Sequence, residues 1–476
     1  AYAALLARTN CAVELLEYAA SAGQKSRYLS RIASGAWTAV LAFAERGAPF
    51  DPASVRCRAI LQADGSFRLF GRKQLVIHGE HDLAGNVVYL VLARLSDGAC
   101  GAKGLAWFIV PKFLVDADGA TRRSNEVRYL AVEERPGLLA RPIRTLIFGA
   151  VEGAVGEIIG ERFGEPGRIS VLTSCVLDAL HLAAGAQGVA VGEGAYQRAL
   201  HAARTRRQRR GAGAARQDLF CAERPDIKRL LLNMRARTFA ARLLVYEAVA
   251  LRDRSLHRCA SGNDKKHRHL AHLMATVAAA WSCTVGTEVV SLGLQLHGCI
   301  GSVEDVRAAR PGRDAQTVLP GAGAVPDPAQ IVHELLHEQG VSLRWLIEEI
   351  AGIARALKTH GALIELGIRL DADTAALATA LDAMLTRGHV DEGISLSVAA
   401  PFVDLLGVIC GEWQMGRAAL AAQDKLDGSQ DDGAYSNHVV GLARFYAVHI
   451  APLARAHLQT VLAAEAAACV FADALP

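Results

Sequence analysis

Apolar residues recur at helical spacing over residues 1–37, where Leu5, Leu6, Val13, Leu16, Tyr28, Leu29 and Ile32 share a repeating face. This spacing predicts two short helices joined near Ala22-Gly23. From about residue 40 to 165 the pattern changes to short alternating or continuous apolar runs at 67–70, 74–77, 87–92 and 105–110, separated by DGS, GRK, SDG and DADG. Apolar runs bounded by such turn-forming residues predict the strands of a β-domain. Helical spacing returns at Arg168 and continues through 171–204, 225–252, 269–297 and three or four further helices between 329 and 474, with Pro225 suited to a first helical turn. Gly- and Pro-rich residues 310–328 predict a loop between two helical blocks. Arg204–Arg210 with Gly211-Ala212-Gly213, and residues 264–269, predict two more loops. The basic one reads as a solvated connection or, alternatively, as a phosphate contact. The order predicts an α+β chain that is mostly α.

Composition narrows the class. Of 476 residues 51% are apolar, 21% charged and 6% aromatic, and the net charge is +4. That balance excludes disorder and collagen, and makes nucleic acid an unexpected partner. No uninterrupted apolar run approaches the roughly 18 residues of a membrane span, so none is expected. Ten cysteines are scattered without a CxxC pair. This usage fits reduced thiols and a cytoplasmic location.

Several stretches together resemble the acyl-CoA dehydrogenase family, and in particular its subgroup with an extra C-terminal helical domain. They are QKSRYLSRIASGAW (24–37), GEHDLAGNVVYLVLARLSDGACGAKGLAWFIVPKF (79–113), GAQGVAVGEGAYQRAL (185–200), GTEVVSLGLQLHGCIG (286–301) and GLARFYAVHIAPLA (441–454). The resemblance implies a remnant of the N-terminal helical domain at 1–37, a middle β-domain at 38–166, a helical bundle at 167–328 and an additional helical domain at 329–476. The family's first helices are expected to be absent. It further implies FAD as cofactor, an acyl-CoA thioester as substrate, an electron-transfer flavoprotein as acceptor, and a homodimer or homotetramer. Family chemistry removes the α-proton with a glutamate while the β-hydride passes to the flavin, which requires a desolvated carboxylate and donors to the thioester oxygen.

Carried onto this chain, the family's flavin contacts fall on Ala44, Ile77, His78, Arg206, Gln208, Gln295, Gly298 and Gly323. Arg206 and Gln208 match an Arg-x-Gln pattern that faces the pyrophosphate, for which an arginine fork is suited. Gln295, Gly298 and Gly301 match a glycine turn, with Cys299 and Ser302 replacing its usual Gly and Tyr. Ala44 stands where the family has a threonine, and Ala48-Pro49-Phe50-Asp51 where it has Gly-Ser/Thr-Asp. The catalytic Tyr-Glu-Gly-Thr loop falls on Gly321-Ala322-Gly323-Ala324, so the base position is Ala322. Asp178 beside His181, Asp314 and Asp327 are the replacement carboxylates within reach in sequence.

Another chemistry is written at His333-Glu334-Leu335-Leu336-His337, an HExxH pattern that on a helix presents two imidazoles to one metal. Leu343 occupies the place of a third histidine. The expectations are thus an FAD-dependent acyl-CoA dehydrogenase with a weakened site, an inactive relative that binds acyl-CoA or another subunit, or a zinc hydrolase, in that order. No metal is expected.

Overall fold

The computed structural model describes residues 2–45, 54–96, 104–116, 119–134, 137–138, 141–160, 168–210, 217–259, 265–298, 310–317, 325–428 and 433–464. It comprises two compact units, Ala1–Leu180 and His181–Pro476.

In the first unit α1 (Tyr2–Ala19) and α2 (Ala22–Gln24) run through a π turn at Lys25–Leu29 into α3 (Ser30–Ala33). The break sits at Ser21, whose hydroxyl accepts from Gln24 N while Gln24 Oε1 accepts from Ser21 N, a reciprocal cap readable in the sequence. Ten strands follow among the described residues: β1 (Thr38–Ala42), β2 (Arg58–Leu61), β3 (Phe67–Ile77), β4 (Val87–Leu95), β5 (Leu105–Pro111), β6 (Phe113–Val115), β7 (Thr121–Ser124), β8 (Val127–Tyr129), β9 (Ile143–Phe148) and β10 (Ala154–Ile158). β2, β4, β5, β10 and β3 pair in turn, and β3 pairs back to β2, so the sheet closes on itself. β1 adds in parallel to β4, and the far half of β3 carries β9 and β8.

The closed sheet encloses Phe67, Leu69, Tyr89, Val91, Phe108, Val110, Leu146 and Phe148, with Phe67 edge-on to Phe108 at 5.1 Å. Its other face is covered as well. Every residue of β5 is buried, and the N-terminal helices are tied to β1 and β10: Thr9 Oγ1 bonds Ala39 O at 3.2 Å, Gln24 Nε2 bonds Ile158 O at 2.7 Å, and Arg27 and Tyr28 both reach Glu157. Continuous rather than alternating apolar runs follow from that double burial.

The second unit contains most of α4 (Arg168–Thr205), the hairpin β11 (Arg207–Arg210) and β12 (Gln217–Phe220), α5 (Pro225–Cys259), α6 (Lys265–His297) and α7 (Arg310–Gln316). The tail follows as α8 (Pro328–His337), α9 (Val341–Thr359), α10 (Ile364–Gly388), α11 (Glu392–Ser397), α12 (Ala399–Asp427), α13 (Ala434–His449) and α14 (Leu453–Leu462). Three predicted loops are therefore corrected. The basic run forms a strand, residues 265–269 begin α6, and residues 310–316 are helical with Pro311 in the first turn, where its missing N–H is harmless. The tail holds seven helices among the described residues rather than three or four, since Gly340, His360 and Val398 punctuate what reads as continuous periodicity.

Glycine at 188 and 286 lets α4 and α6 touch backbone to backbone. A Cβ on Gly188 would lie 2.5 Å from Ser282 O, and one on Gly286 would lie 2.4 Å from Gly188 O. Gly407 and Gly411 open a notch on α12 for Trp281 of α6; a Cβ on Gly407 would lie 2.2 Å from the indole. One continuous apolar cluster consequently runs from Leu182 to Ala464, through bundle and tail alike. Two helices, Leu172–Thr205 and Lys265–His297, are long and apolar enough to cross a bilayer by length and composition alone. In the second, 83% of the apolar window is buried by the fold, as befits a core helix.

Candidate functional site

In the β-unit the chain leaves β1 through Phe43, Ala44 and Glu45, and a buried ion pair fixes this exit. Lys73 of β3 is wholly buried, and its ammonium donates to Glu45 Oε1 at 2.6 Å and to Phe43 O at 3.2 Å. The Glu45 carboxylate also accepts from Arg56 N at 2.8 Å and Cys57 N at 3.1 Å, so both charges have partners. Burial pushes the adjacent Cys57 thiol up to about 11, ruling it out as a nucleophile. Ala44 O accepts from Gln74 N at 2.9 Å, which seats Ala44 beside β3.

The next residues of β3 depart from regular pairing with β9. The register slips between Lys73 and Val76, and Leu75 and His78 have φ of 55° and 54°, a left-handed backbone that non-glycine residues seldom adopt. His78 N donates to Pro142 O at 2.9 Å, and the Ile77 and His78 side chains are buried. Ala44 is thus bonded to the start of the 74–78 segment, which carries the predicted flavin positions Ile77 and His78.

The GEHD stretch that follows is a structural pin. Tyr89 Oη donates to Gly79 O at 2.9 Å, and Lys112 pairs with Glu80 at 2.5 Å. His81 Nδ1 accepts from Leu83 N at 3.2 Å, which assigns its proton to Nε2, facing Thr38 Oγ1 at 3.1 Å. Burial holds this imidazole below its ordinary pKa, so it stays neutral.

In the helical unit Arg206 follows α4 and reaches the end of α6. Its Nη1 donates to His297 O at 3.2 Å and its Nε contacts Cys221 Sγ at 3.3 Å, while Nη2 makes no hydrogen bond among the described residues. Gly298 closes α6 at φ 62°, and a Cβ there would stand 3.4 Å from Arg206 Nη1. Burial first, then Arg206 and Arg198, hold His297 below its ordinary pKa. Arg206 and Gly298 are thus neighbours. Gln295 lies exposed in the last turn of α6, and Gln208 pairs with Leu219 through the β11–β12 ladder. Ala322, Gly323, Ala324, Gly301, Cys299, Ser302 and residues 48–51 lie outside the described residues.

The replacement carboxylates sit in different settings. Asp327 is exposed and caps α8 by accepting from Ala329 N at 3.0 Å. Asp178 is half-buried on α4, one turn before the buried His181.

The HExxH residues do not converge. His333 turns outward to Glu392 of α11, whereas Glu334 turns to His272 of α6 at 3.0 Å and to Gln330. Burial opposes ionisation of Glu334, but the His272 contacts prevail and lower its pKa. Among the described residues no three His, Cys, Asp or Glu side chains are grouped to hold a metal ion.

Comparison with known proteins agrees with this layout. The family described as "Acyl-CoA dehydrogenase, C-terminal domain" matches residues 170–325, and "Acetyl-CoA dehydrogenase C-terminal like" matches residues 346–471. A 3-methylmercaptopropionyl-CoA dehydrogenase of Ruegeria pomeroyi is 33% identical over 88% of this chain and 70% of its own length. A broad-specificity linear acyl-CoA dehydrogenase of Mycobacterium tuberculosis is 26% identical over 90% of this chain and 73% of its own. Among solved structures, Caenorhabditis elegans ACDH-11 in complex with C11-CoA has a TM-score of 0.71 at 19% identity, covering 94% of this chain and 72% of its own. An acyl-CoA dehydrogenase complexed with FAD from Bacillus anthracis has a TM-score of 0.70 at 18% identity, covering 93% of this chain and 72% of its own. At those identities the likeness concerns the fold.

Proposed function

The chain belongs to the acyl-CoA dehydrogenase family, and from that premise we propose that it binds FAD and an acyl-CoA thioester, with α,β-oxidation much slower than its fold would otherwise support. The observation that carries the reading is Arg206 held against Gly298 at the end of α6, with one amino group that makes no hydrogen bond among the described residues. That pair suits a pyrophosphate: the guanidinium fork offers charge and direction, and the side-chain-free turn admits a phosphate against backbone. At the positions that resemble the family's ring contacts the chemistry is poorer, because Ala44 and Ala324 offer no hydroxyl.

When bound, FAD supplies the acceptor for a hydride. The chain's own residues must then remove the α-proton. Ala322 carries no base and Asp327 caps a helix start; Asp178, half-buried on α4, is the carboxylate we assign to that role. Loss of a positioned base lowers turnover by roughly 10²–10⁴-fold. Electron-transfer flavoprotein as acceptor and assembly as a homodimer or homotetramer complete the reading. The second reading, a relative that binds acyl-CoA or pairs with an active subunit without turnover, is favoured by Ala322 and Ala324 together.

The first test is the visible spectrum after incubation with FAD and desalting. A retained flavin band that Arg206→Ala abolishes supports the assignment; a colourless wild type overturns it. Turnover with ferricenium across short to long acyl-CoAs follows. Ala322→Glu is expected to raise the rate by about 10²-fold or more, and Asp178→Asn to remove what the wild type has. Bound flavin with no turnover in either protein leaves the binding role.

A further inference from the structure

At the junction of α5, α6, α9 and α12 the helical unit holds a cavity of about 280 Å³. It lies near the start of α6, about 45 Å along that helix from His297 by the helical rise, and so is separate from the site above. Its floor is apolar: Leu251, Leu270 and Trp413 are each at most 6% exposed, and Ile353 joins them. Around the floor stand Arg254, Arg417 and Lys266.

Donors outnumber acceptors there. Glu247 accepts from Arg254 Nη2 at 2.8 Å and from Arg417 Nη1 at 2.5 Å, and is thereby occupied by both guanidinium groups. Arg254 Nη1 and Arg417 Nε and Nη2 make no hydrogen bond among the described residues. The Trp413 indole N–H is buried and finds no acceptor among the described residues. Arg417 lies over the Trp413 ring at 5.4 Å, so guanidinium and indole stack in the same lining. A buried donor without an acceptor is costly, and the natural partner for this group of donors is an oxyanion. Glu349, exposed at the rim, and His267 complete the polar lining.

We propose that this cavity binds a small amphiphilic carboxylate, its oxygens on Arg254, Arg417 and the Trp413 N–H and its apolar body on Leu251, Leu270 and Ile353. Because α5 and α6 belong to the bundle and α9 and α12 to the tail, the bound carboxylate fastens one to the other. Titration calorimetry of the full chain with hexanoate tests this, with inorganic phosphate and hexylammonium as comparison probes. Hexanoate is expected to bind and to raise the melting temperature. Arg254→Ala, at an exposed side chain, and Trp413→Phe are each expected to weaken it about tenfold, the worth of one charge-assisted or buried hydrogen bond. Arg206→Ala should leave this binding unchanged, which separates it from the flavin reading. Phosphate binding as tightly as hexanoate overturns the apolar body, and hexylammonium binding in its place overturns the charge assignment through Glu349. No binding, or binding that Arg254→Ala does not weaken, overturns the site.

Discussion

Two buried pairs of ionisable side chains, one in each unit, show what charge burial does to this protein. In the β-unit Lys73 and Glu45 are opposite in sign, and every contact around them adds a donor to the carboxylate or an acceptor to the ammonium. In the tail, Asp373 of α10 and Glu412 of α12 are alike in sign and are 7% and 5% exposed. Burial first, and then the Asp373 charge, push the Glu412 carboxyl well above the usual carboxylate range, while Arg369 pulls the other way. Asp373 is also raised by burial, against the charges of Arg455 and Arg369. The first pair latches the exit of β1 to β3. The second makes the tail carry a proton-dependent penalty.

The largest effect is expected from breaking the latch. Glu45→Ala leaves Lys73 without its counter-charge and two backbone N–H groups without an acceptor, at a cost of about 3–5 kcal/mol. Native-state hydrogen exchange should show β3 and the 56–57 amides losing protection; full protection would mean the latch is not what holds them. Lys73→Met should cost less, about 1–3 kcal/mol, because Glu45 keeps its two backbone donors.

The tail pair predicts a sign that differs from ordinary acid denaturation. Both carboxyls have raised pKa values in the fold, so the native state binds more protons, and their contribution falls as pH rises from about 4 upward. Glu412→Gln removes the penalty: its melting temperature should exceed the wild type's at pH 8, and the two should converge near pH 4. An equal offset at both pH values would remove the electrostatic account.

Glu193 on α4 sharpens the contrast within the same unit. Burial opposes its ionisation, but Gln197 and Arg242, the latter at 2.7 Å, outweigh it and lower its pKa, with Arg235 at 3.3 Å adding to the effect. This carboxylate stabilises the fold above about pH 4 and loses that contribution as pH falls through its lowered value. Glu193→Gln should therefore destabilise at pH 7 by less than the Glu45 change, and the difference should shrink as the pH is lowered through the acid range. The expected order is set by exposure, since Glu193 is 18% exposed and Glu45 9%.

The elements with strong periodicity were legible in advance: α4, α5 and α6, and the doubly buried β4 and β5, are where their patterns put them. The tail helices were merged, because a single glycine or valine ends a helix with little change in apolar spacing. Of the predicted positions, Arg206 and Gly298 are neighbours, and Ala44 is bonded to Gln74, three residues before Ile77. Lys73 was missed, although a lysine inside an apolar strand was its signal. Asp327 read as a free carboxylate, yet Pro328 behind it is the mark of a helix start. HExxH read as a metal pattern, and its side chains instead take His272 and Glu392 as partners.

Local order along this chain, its strands, its long helices and the family they spell out, follows from residue spacing alone, because burial of an apolar face repeats with the period of the element. Which polar groups face each other does not. The notch that seats Trp281, the closure of β2 through β3, and the meeting of Lys73 with Glu45 and of Asp373 with Glu412 all join residues far apart in sequence. There the outcome rests on distance and desolvation, which only the packed fold determines.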